Sequence, residues 1–188
     1  MSITSFLLSL ARIKTIPFSS VDEICQEYSK QLAGQDVDCI VSIERGGYYL
    51  GKKISEELKA PHLSVMIGRK RRVEIEEPSF LRLAIDNFRF EKEQPILLKG
   101  LEPLEKLAVK NKKVLLIDDA VRTGKTLEVA IQHLLECSVS EIFIWVLGNM
   151  KEYPVKHSLK GTFCYPWSRL SSEYGTFIRF YKTEKRQL

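Results

Sequence analysis

The chain has 188 residues, 44% of them hydrophobic and 28% charged, which is enough for one domain with a buried core and typical of a globular protein. Its formal net charge of +5 is modest and suits small anionic substrates as well as nucleic acid. No apolar run reaches the ~20 residues of a membrane-spanning helix, and the short apolar stretch at residues 5–10 lacks the basic start of a signal peptide. We therefore expect a single domain over residues 1–188 and, by default, a cytoplasmic location.

Residue types that bind metals are scattered along the chain. The four cysteines form no C-x-x-C pair, which argues against zinc, and Cys39 and Cys137 lie in apolar patterns typical of reduced core residues. The three histidines show no metal-ligand spacing, so we interpret them as structural.

The first predicted helix precedes the first strand. Ser20 and Glu23 have the spacing of a capping box, with Ser20 as the N-cap. We predict a helix from Val21 to about Leu32 with one apolar face, and Gly34 ends it.

A glycine-containing loop joins a predicted strand at residues 37–43 to a predicted helix at residues 48–58. Arg45, Gly46 and Gly47 form this loop. Adjacent glycines where a strand enters a helix let backbone amides surround an anion, and a guanidinium there can bind a phosphate through two hydrogen bonds. A tight turn with a solvated arginine explains the same residues, so the loop alone does not decide between the two.

A third strand is predicted at residues 62–67, and a run of basic residues, 69–72, follows it. This run is either a solvated loop or a nucleic-acid patch, and four charges without interleaved aromatic residues are a weak signal for nucleic acid. Charged and apolar residues then alternate over residues 73–112, which suggests hairpin strands, with a short helix at residues 103–111.

The most informative stretch is residues 114–127. It begins with four apolar residues typical of a buried strand, and Asp118 and Asp119 follow at the carboxyl end of this run. A turn of small residues, 123–126, then precedes a predicted helix at residues 127–137. The pattern is strand, acidic pair, loop and helix.

This pattern suits a phosphorylated sugar. Backbone amides at a helix start can hold a phosphate, Gly124 lets the backbone approach it, and Thr123 and Thr126 can add hydroxyl donors. The two carboxylates can accept hydrogen bonds from a sugar diol or hold Mg²⁺ through water, so we predict a ribose 5-phosphate site. A P-loop is excluded because it requires glycine where this chain has Asp119, and G-x-G-x-x-G is absent. An ordinary α/β unit whose strand ends in two aspartates is the alternative.

Residues 114–127 resemble the signature of the type I phosphoribosyltransferases, which bind 5-phosphoribosyl-1-pyrophosphate (PRPP). With the glycine loop, the resemblance covers roughly residues 37–150. It implies that Asp118 and Asp119 contact the ribose hydroxyls, help to hold Mg²⁺ through water and act in catalysis. It also implies that the loop after them binds the 5-phosphate. That loop comprises Arg122, Thr123, Gly124, Lys125 and Thr126.

The resemblance also assigns the loop of Arg45, Gly46 and Gly47 to the pyrophosphate, with Arg45 stabilising the charge of the leaving group. Arg69, or the lysine after it, is the candidate for a further basic contact with the pyrophosphate. In this family a mobile loop within the interval 73–112 closes over the reacting centre, which would exclude water from a PRPP-derived intermediate.

The C-terminal part contains a predicted strand at residues 141–147 and a strand and turn at residues 162–168, which include Pro166 and Trp167. A Pro-Trp pair here is similar to the xanthine–guanine branch of the family, in which this hood segment carries the base pocket. By this resemblance Trp167 stacks on a purine and Lys151 meets its 6-oxo group. A core tryptophan and a surface lysine are equally good interpretations.

One residue departs from the family pattern. Hypoxanthine–guanine members have an aspartate two positions before the glycine of the phosphate loop, and it interacts with purine N7. This chain has Arg122, whose guanidinium cannot act as a general base. Other branches, including pyrimidine-operon regulators with uracil phosphoribosyltransferase activity, tolerate non-acidic residues there, so the purine assignment is open.

We predict an α/β fold of the type I phosphoribosyltransferase kind, with a doubly wound parallel sheet. The core spans about residues 20–150, and a small hood combines the N-terminal segment with residues 151–188. The predicted activity is Mg²⁺-dependent transfer of the phosphoribosyl group from PRPP to a nucleobase nitrogen, with purine salvage favoured. The resemblance implies a homodimer or homotetramer, and neither a membrane nor a nucleic-acid partner is expected.

Two other functions are compatible with the same fold. One is a PRPP- or nucleotide-sensing regulator that binds nucleic acid through residues 69–72 with little or no turnover. The other is a degenerate member that serves as an interaction partner, against which the intact acidic pair argues.

Overall fold

A computed structural model describes residues 13–32, 34–69, 94–149, 154–155, 158–161, 163–169 and 171–186. Its helices are α1 (Phe18–Leu32), α2 (Gly46–Leu58), α3 (Pro103–Val109), α4 (Lys125–Glu136) and α5 (Tyr174–Arg186). Its strands are β1 (Lys14–Thr15), β2 (Cys39–Glu44), β3 (His62–Gly68), β4 (Ile96–Lys99), β5 (Lys113–Val121), β6 (Glu141–Asn149), β7 (Leu159–Lys160) and β8 (Phe163–Cys164). None of these described helices combines the length and apolar character that crossing a membrane would require.

A six-stranded sheet with the order β4-β3-β2-β5-β6-β7 forms the centre of the fold. Its neighbouring strands are parallel, except that β4 runs antiparallel to β3. The chain moves outward from β2 to β3 on one side and from β5 to β6 on the other, so the strand order reverses between β2 and β5. The predicted doubly wound sheet is confirmed, and a reversal of this kind creates the crevice in which such sheets bind ligands.

Helices cover both faces of this sheet. Alternate residues along β5 enter different hydrophobic clusters, because successive side chains of a strand point to opposite faces. Leu115 and Ile117 pack with residues of α1, α2 and α5, whereas Val114 and Leu116 pack with residues of α3 and α4. All four cysteines are buried and free of disulfides, as the sequence predicts for the two that lie in apolar patterns.

The start of α1 differs from the prediction. The helix begins at Phe18, and the Val21 amide already donates to the Pro17 carbonyl at 3.1 Å, so the predicted capping box with Ser20 as the N-cap is wrong. The Phe18 amide instead donates to Oε2 of Glu173 at 3.0 Å, across 155 residues of chain. A carboxylate at a helix N-terminus satisfies an amide and interacts favourably with the helix dipole.

The strand β5 continues beyond its predicted end. It runs to Val121, and its pairing with β6 includes Asp118 opposite Val146 and Val121 opposite Asn149. The acidic pair therefore lies within the strand and not after it. Pairing with β6 fixes the backbone at Asp118 and at Ala120. It therefore restricts the directions in which the side chains of Asp118 and Asp119 can point.

Most of the predicted hairpin and closing loop falls on residues 70–93, which lie outside the described residues. The part of that interval that is described contains β4 and α3, and α3 confirms the helix predicted at residues 103–111. The sequence does not predict α5, whose Phe177 is 1% exposed in the core. A second, two-stranded sheet pairs β1 with β8 and joins two segments of the predicted hood, whose separation from the core remains a prediction.

Acidification should destabilise the fold through His62. Its Nε2 lies 2.8 Å from Ser42 Oγ, and burial, followed by the charges of Lys52 and Lys185, lowers its pKa to about 4. Between pH 6.5 and 4 the unfolded chain binds a proton at this histidine that the folded chain does not, so the free energy of unfolding falls by up to about 1.4 kcal/mol per pH unit. Urea unfolding across this range should show a shallower pH slope for His62→Gln, and parallel slopes would contradict the assignment.

Candidate phosphate and ribose site

Two loops meet at the edge of the sheet where β2 and β5 end. Ser42 lies opposite Ile117 in the parallel pairing of these strands, so the residues that follow reach the same place. A Cβ on Gly47 would lie 2.9 Å from the Ile117 carbonyl oxygen, and a Cβ on Gly46 would lie 2.0 Å from Oδ2 of Asp119. Glycine at both positions therefore allows the backbone of one loop to touch the acidic pair.

One basic side chain lies in the first loop, and another lies beyond the end of the neighbouring strand. Arg45 is exposed and precedes the two glycines, which begin α2, and its bond to Glu44 is a cis peptide. Glu44 lies opposite Met66 in the parallel pairing of β2 with β3, which places Arg69 at the same edge, one strand further out. The fold thus brings the predicted pyrophosphate residues to one edge.

The second loop leads from β5 into α4. Gly124 occupies the N-cap position with a φ of 79°, in the left-handed region that favours glycine. Glycine has no side chain with which to cap the helix, so the first amides of α4, beginning at Lys125 and Thr126, face outward with the positive end of the helix dipole. Arg122 and Thr123 are exposed beside them. This is the geometry of an anion-binding turn.

The two carboxylates have different surroundings. Asp118 is 7% exposed, and its Oδ1 accepts a hydrogen bond from the Asp119 amide at 2.8 Å. Burial, and then the neighbouring Asp119 carboxylate, raises the pKa of Asp118 well above its usual value. Asp119 is more exposed, and its Oδ2 accepts a hydrogen bond from Nε1 of Trp167 at 2.6 Å. The pair therefore retains a proton more readily than two separate carboxylates would.

The chemistry of the acidic pair fits Mg²⁺ shared with a substrate. Among the described residues no group of three or more His, Cys, Asp and Glu side chains could enclose a metal ion. Mg²⁺ usually keeps several waters and binds through one or two carboxylates together with substrate phosphates. Asp118 and Asp119 supply two such carboxylates beside the loop at residues 122–126, which is predicted to bind phosphate.

Of the two residues predicted to contact the base, the structure describes only Trp167. Lys151 lies outside the described residues. Trp167 is 9% exposed, and its ring stacks on Tyr165 with centroids 5.2 Å apart and planes at 12°. Because its N–H donates to Asp119, the indole lies against the acidic pair, and its stacking on a base remains a prediction.

A polar cluster beside the first loop was not visible in the sequence. Glu44 ends β2, and its side chain is 3% exposed. It accepts hydrogen bonds from Ser64, Tyr181 and Lys185. Burial alone would raise the pKa of Glu44, but these donors outweigh it and hold the pKa below its usual value. The two donors on α5 thus fix the strand end directly before the first loop, and they are 137 and 141 residues away, beyond any local motif.

Residues 12–168 match the family model of the phosphoribosyl transferase domain. The chain belongs to this family. The phosphoribosyltransferase resemblance seen in the acidic pair and its loop is therefore confirmed at the level of the family. This match covers the elements that carry both loops, from β2 to the start of α4.

This phosphoribosyltransferase-family chain is similar in sequence to proteins of more than one kind and similar in fold to a solved structure. It is 27% identical to the bifunctional protein PyrR of Clostridium kluyveri over 146 residues, which are 76% of this chain and 75% of PyrR. It is 29% identical to the adenine phosphoribosyltransferase of Mesorhizobium japonicum over 116 residues, which are 61% of this chain and 55% of that enzyme. A purine phosphoribosyltransferase structure from Pyrococcus horikoshii covers 83% of this chain and 94% of its own, with a TM-score of 0.64 and 20% identity. That structural likeness shows a shared fold.

Replacing Asp118 with asparagine should stabilise the protein in the absence of substrate and magnesium. A carboxyl group with a raised folded pKa favours the folded state while protonated, and this contribution is lost as the pH rises above the ordinary aspartate value of about 4. Asparagine is neutral at every pH and keeps an oxygen for the Asp119 amide. We expect the Tm of Asp118→Asn at pH 7.5 to exceed that of the wild type by about 2–4 °C, the shift for about 1 kcal/mol in a domain of this size.

Thermal unfolding at pH 7.5 and 4.5 measures this difference, which should shrink at the lower pH. Asp36→Asn, at an exposed aspartate in the loop before β2, is the control and should leave the Tm unchanged. An Asp118→Asn variant that is no more stable than the wild type at pH 7.5 would show that ionisation of Asp118 does not destabilise the fold.

Gly46→Ala should force the first loop away from Asp119 and Trp167, because its Cβ would lie 2.0 Å from Oδ2 of Asp119 and 2.5 Å from Nε1 of Trp167. We expect a loss of about 1–3 kcal/mol in the free energy of unfolding, measured with urea. Gly175→Ala is the matched control, since a Cβ there meets nothing within 4 Å, and alanine in α5 should add up to about 1 kcal/mol. Equal effects at the two sites would refute the close approach.

Proposed function

We propose that the chain is a PRPP-dependent phosphoribosyltransferase that transfers the 5-phosphoribosyl group to a nucleobase nitrogen and releases pyrophosphate. The observation that carries this proposal is the meeting of two anion-binding loops and an acidic pair at the reversal point of the sheet. PRPP has a phosphate, neighbouring hydroxyls and a pyrophosphate within one small molecule. Membership in the family supports the same conclusion.

Each part of PRPP has a matching group in the proposed site. We assign the 5-phosphate to the amides and hydroxyls of loop 122–126, and the ribose hydroxyls to Asp118 and Asp119. The pyrophosphate lies at Arg45 and the two glycine amides that follow it, with Arg69 as a further cation. The spacing of these groups along the edge follows from the strand order, because the first loop follows β2 and the second follows the adjacent β5.

In the proposed reaction the bond from ribose C1 to a pyrophosphate oxygen breaks, and a bond from C1 to the base nitrogen forms. The proton of that nitrogen passes to solvent or to a group on the base side. Negative charge collects on the pyrophosphate, where Arg45 and the glycine amides stabilise it. Positive charge develops on the ribose ring, where Asp118 and Asp119 offset it. When bound, Mg²⁺ would be held by Asp118 and Asp119 through water and would neutralise negative charge on the pyrophosphate.

A purine is the acceptor that we favour. The support is the similarity to an adenine phosphoribosyltransferase and the Pro166-Trp167 segment. If the acceptor is a 6-oxopurine, Lys151 is proposed to meet its 6-oxo group. Arg122 stays charged and cannot accept the proton of the base, so proton removal must use water or another group. We also propose a cytoplasmic location and a homodimer or homotetramer, as the family resemblance implies.

The similarity to the bifunctional protein PyrR favours a second candidate, a regulator that senses PRPP or a nucleotide and binds nucleic acid. The basic run at residues 69–72 is its proposed contact, and Arg69 is the part of it that the structure describes. Such a protein would bind PRPP with little turnover and would bind RNA with a steep dependence on salt.

In the presence of Mg²⁺, the purified protein should release pyrophosphate from PRPP when one of six bases is added: hypoxanthine, guanine, xanthine, adenine, uracil or orotate. The double variant Asp118→Asn, Asp119→Asn should lower kcat/KM by about 10²–10⁴, because it removes several kcal/mol of transition-state stabilisation. Coupled pyrophosphate detection measures both quantities.

Glu141→Gln is the control for charge neutralisation, because it removes an exposed carboxylate at the opposite edge of the sheet, where β6 begins. It should retain the wild-type rate. A double variant with normal turnover would overturn the assigned site. If none of the six bases leads to pyrophosphate release but calorimetry shows that the protein binds PRPP, the result would favour the regulator over the enzyme.

A further inference from the structure

Trp167 makes a contact that the proposed reaction does not yet use. Its Nε1 lies 2.6 Å from Oδ2 of Asp119. The indole N–H can only donate and the carboxylate oxygen can accept, so the direction of this hydrogen bond is fixed. Hydrogen bonds to carboxylates are short and about twice as strong as bonds between neutral groups.

The position of the indole ring is itself fixed by aromatic packing. Tyr165 stacks on it, and the ring centroids of Tyr49 and Phe177 each lie 6.1 Å from its own. These three rings come from the segment after β8, from α2 and from α5. The indole therefore has little freedom to turn, and its N–H can direct the Asp119 carboxylate rather than follow it.

The same hydrogen bond lies against the first loop. A Cβ on Gly46 would approach both Oδ2 of Asp119 and Nε1 of Trp167, at 2.0 and 2.5 Å. The loop backbone, the carboxylate and the indole thus occupy one small volume. Rotation of the carboxylate away from the indole would change the space between the acidic pair and the loop assigned to pyrophosphate.

We propose that Trp167 is a positioning residue for the ribose subsite: its N–H holds the Asp119 carboxylate in the orientation that receives the ribose hydroxyls of PRPP. The proposal rests on the proposed function, and it gives Trp167 a task other than stacking on a base. A positioning role acts on PRPP and not on the acceptor. The two roles therefore predict losses in different kinetic constants.

Trp167→Phe removes the donor and keeps an aromatic ring. We expect the Kd for PRPP, measured by calorimetry, to rise about 10- to 100-fold, the effect of losing a hydrogen bond to a charged group. If the protein turns over, kcat/KM for PRPP should fall by a similar factor while the KM for the base changes less than about twofold.

Trp145→Phe is the matched control. Trp145 is the other tryptophan of the chain, is 1% exposed in the same hydrophobic cluster, and stacks on Tyr28 at 4.5 Å. The chemical change is identical, so its effect on PRPP binding measures what loss of an indole from this core does by itself. We expect less than about a threefold change.

NMR of a protein that keeps Trp167 tests the proposal even if Trp167→Phe misfolds. In ¹⁵N-labelled Trp145→Phe the indole N–H signal belongs to Trp167, because the chain has two tryptophans. Saturating PRPP should shift this resonance, since Asp119 then shares its oxygens with the ribose.

Equal PRPP affinity in Trp167→Phe and Trp145→Phe would overturn the proposal, as would a loss confined to the KM for the base or an indole resonance that PRPP leaves unmoved. The wild type separates this failure from that of the proposed function. If the wild type binds no PRPP, both ideas fall. If it binds PRPP and Trp167→Phe binds it equally well, only the positioning role falls.

Discussion

Ser42 on β2 lies directly across from Ile117 on β5, and the whole site depends on this register. It sets the height at which the first loop leaves β2 and so places the backbone of Gly46 and Gly47 against the acidic pair. A slip of one residue would displace the loop by about 3.3 Å and turn alternate side chains to the other face of the sheet. The hydrophobic clusters on the two faces oppose such a slip, because Ile117 and Leu116 belong to opposite faces. Core packing therefore fixes the geometry of a polar site.

The same arrangement places a buried carboxyl group beside a second one, which is electrostatically unfavourable. Asp118 is buried next to a second carboxylate, and the described contacts offset this only in part, through the Asp119 amide and the indole of Trp167. By contrast, the side chain of Glu44 is also largely covered, but it has Lys185 and two hydroxyl donors. Among the described residues, Glu44 at the end of β2 thus has donors that outweigh its burial, whereas Asp118, in the proposed ribose subsite, does not. Proteins tolerate such unfavourable local interactions mainly at functional sites, which supports the proposed assignment.

The parts of the fold that sequence reasoning found are those in which the chemistry is local. The acidic pair, the turn at Gly124 and the glycine loop each lie within a few residues, and their order along alternating strands and helices is enough to predict a shared edge. The parts that it missed depend on distant residues. The cap of α1 comes from Glu173, the anchor of Glu44 comes from α5, and the partner of Asp119 is Trp167. No periodicity predicts these contacts, because each requires the tertiary fold. The predicted N-cap at Ser20 failed for the same reason, since a distant carboxylate placed the helix start earlier than the local pattern did.

The anchor of Glu44 has a consequence for biosynthesis. Lys185 and Tyr181 are translated 141 and 137 residues after their partner, whereas both glycine-containing loops are made much earlier. A nascent chain can pair β2 with β5 while the carboxylate that precedes the first loop still lacks its cation. Synthesis proceeds at about 5–20 residues per second, so the ribosome holds the chain in this state for seconds. The end of β2 can therefore gain the contacts of Lys185 and Tyr181 only after α5 has left the ribosome.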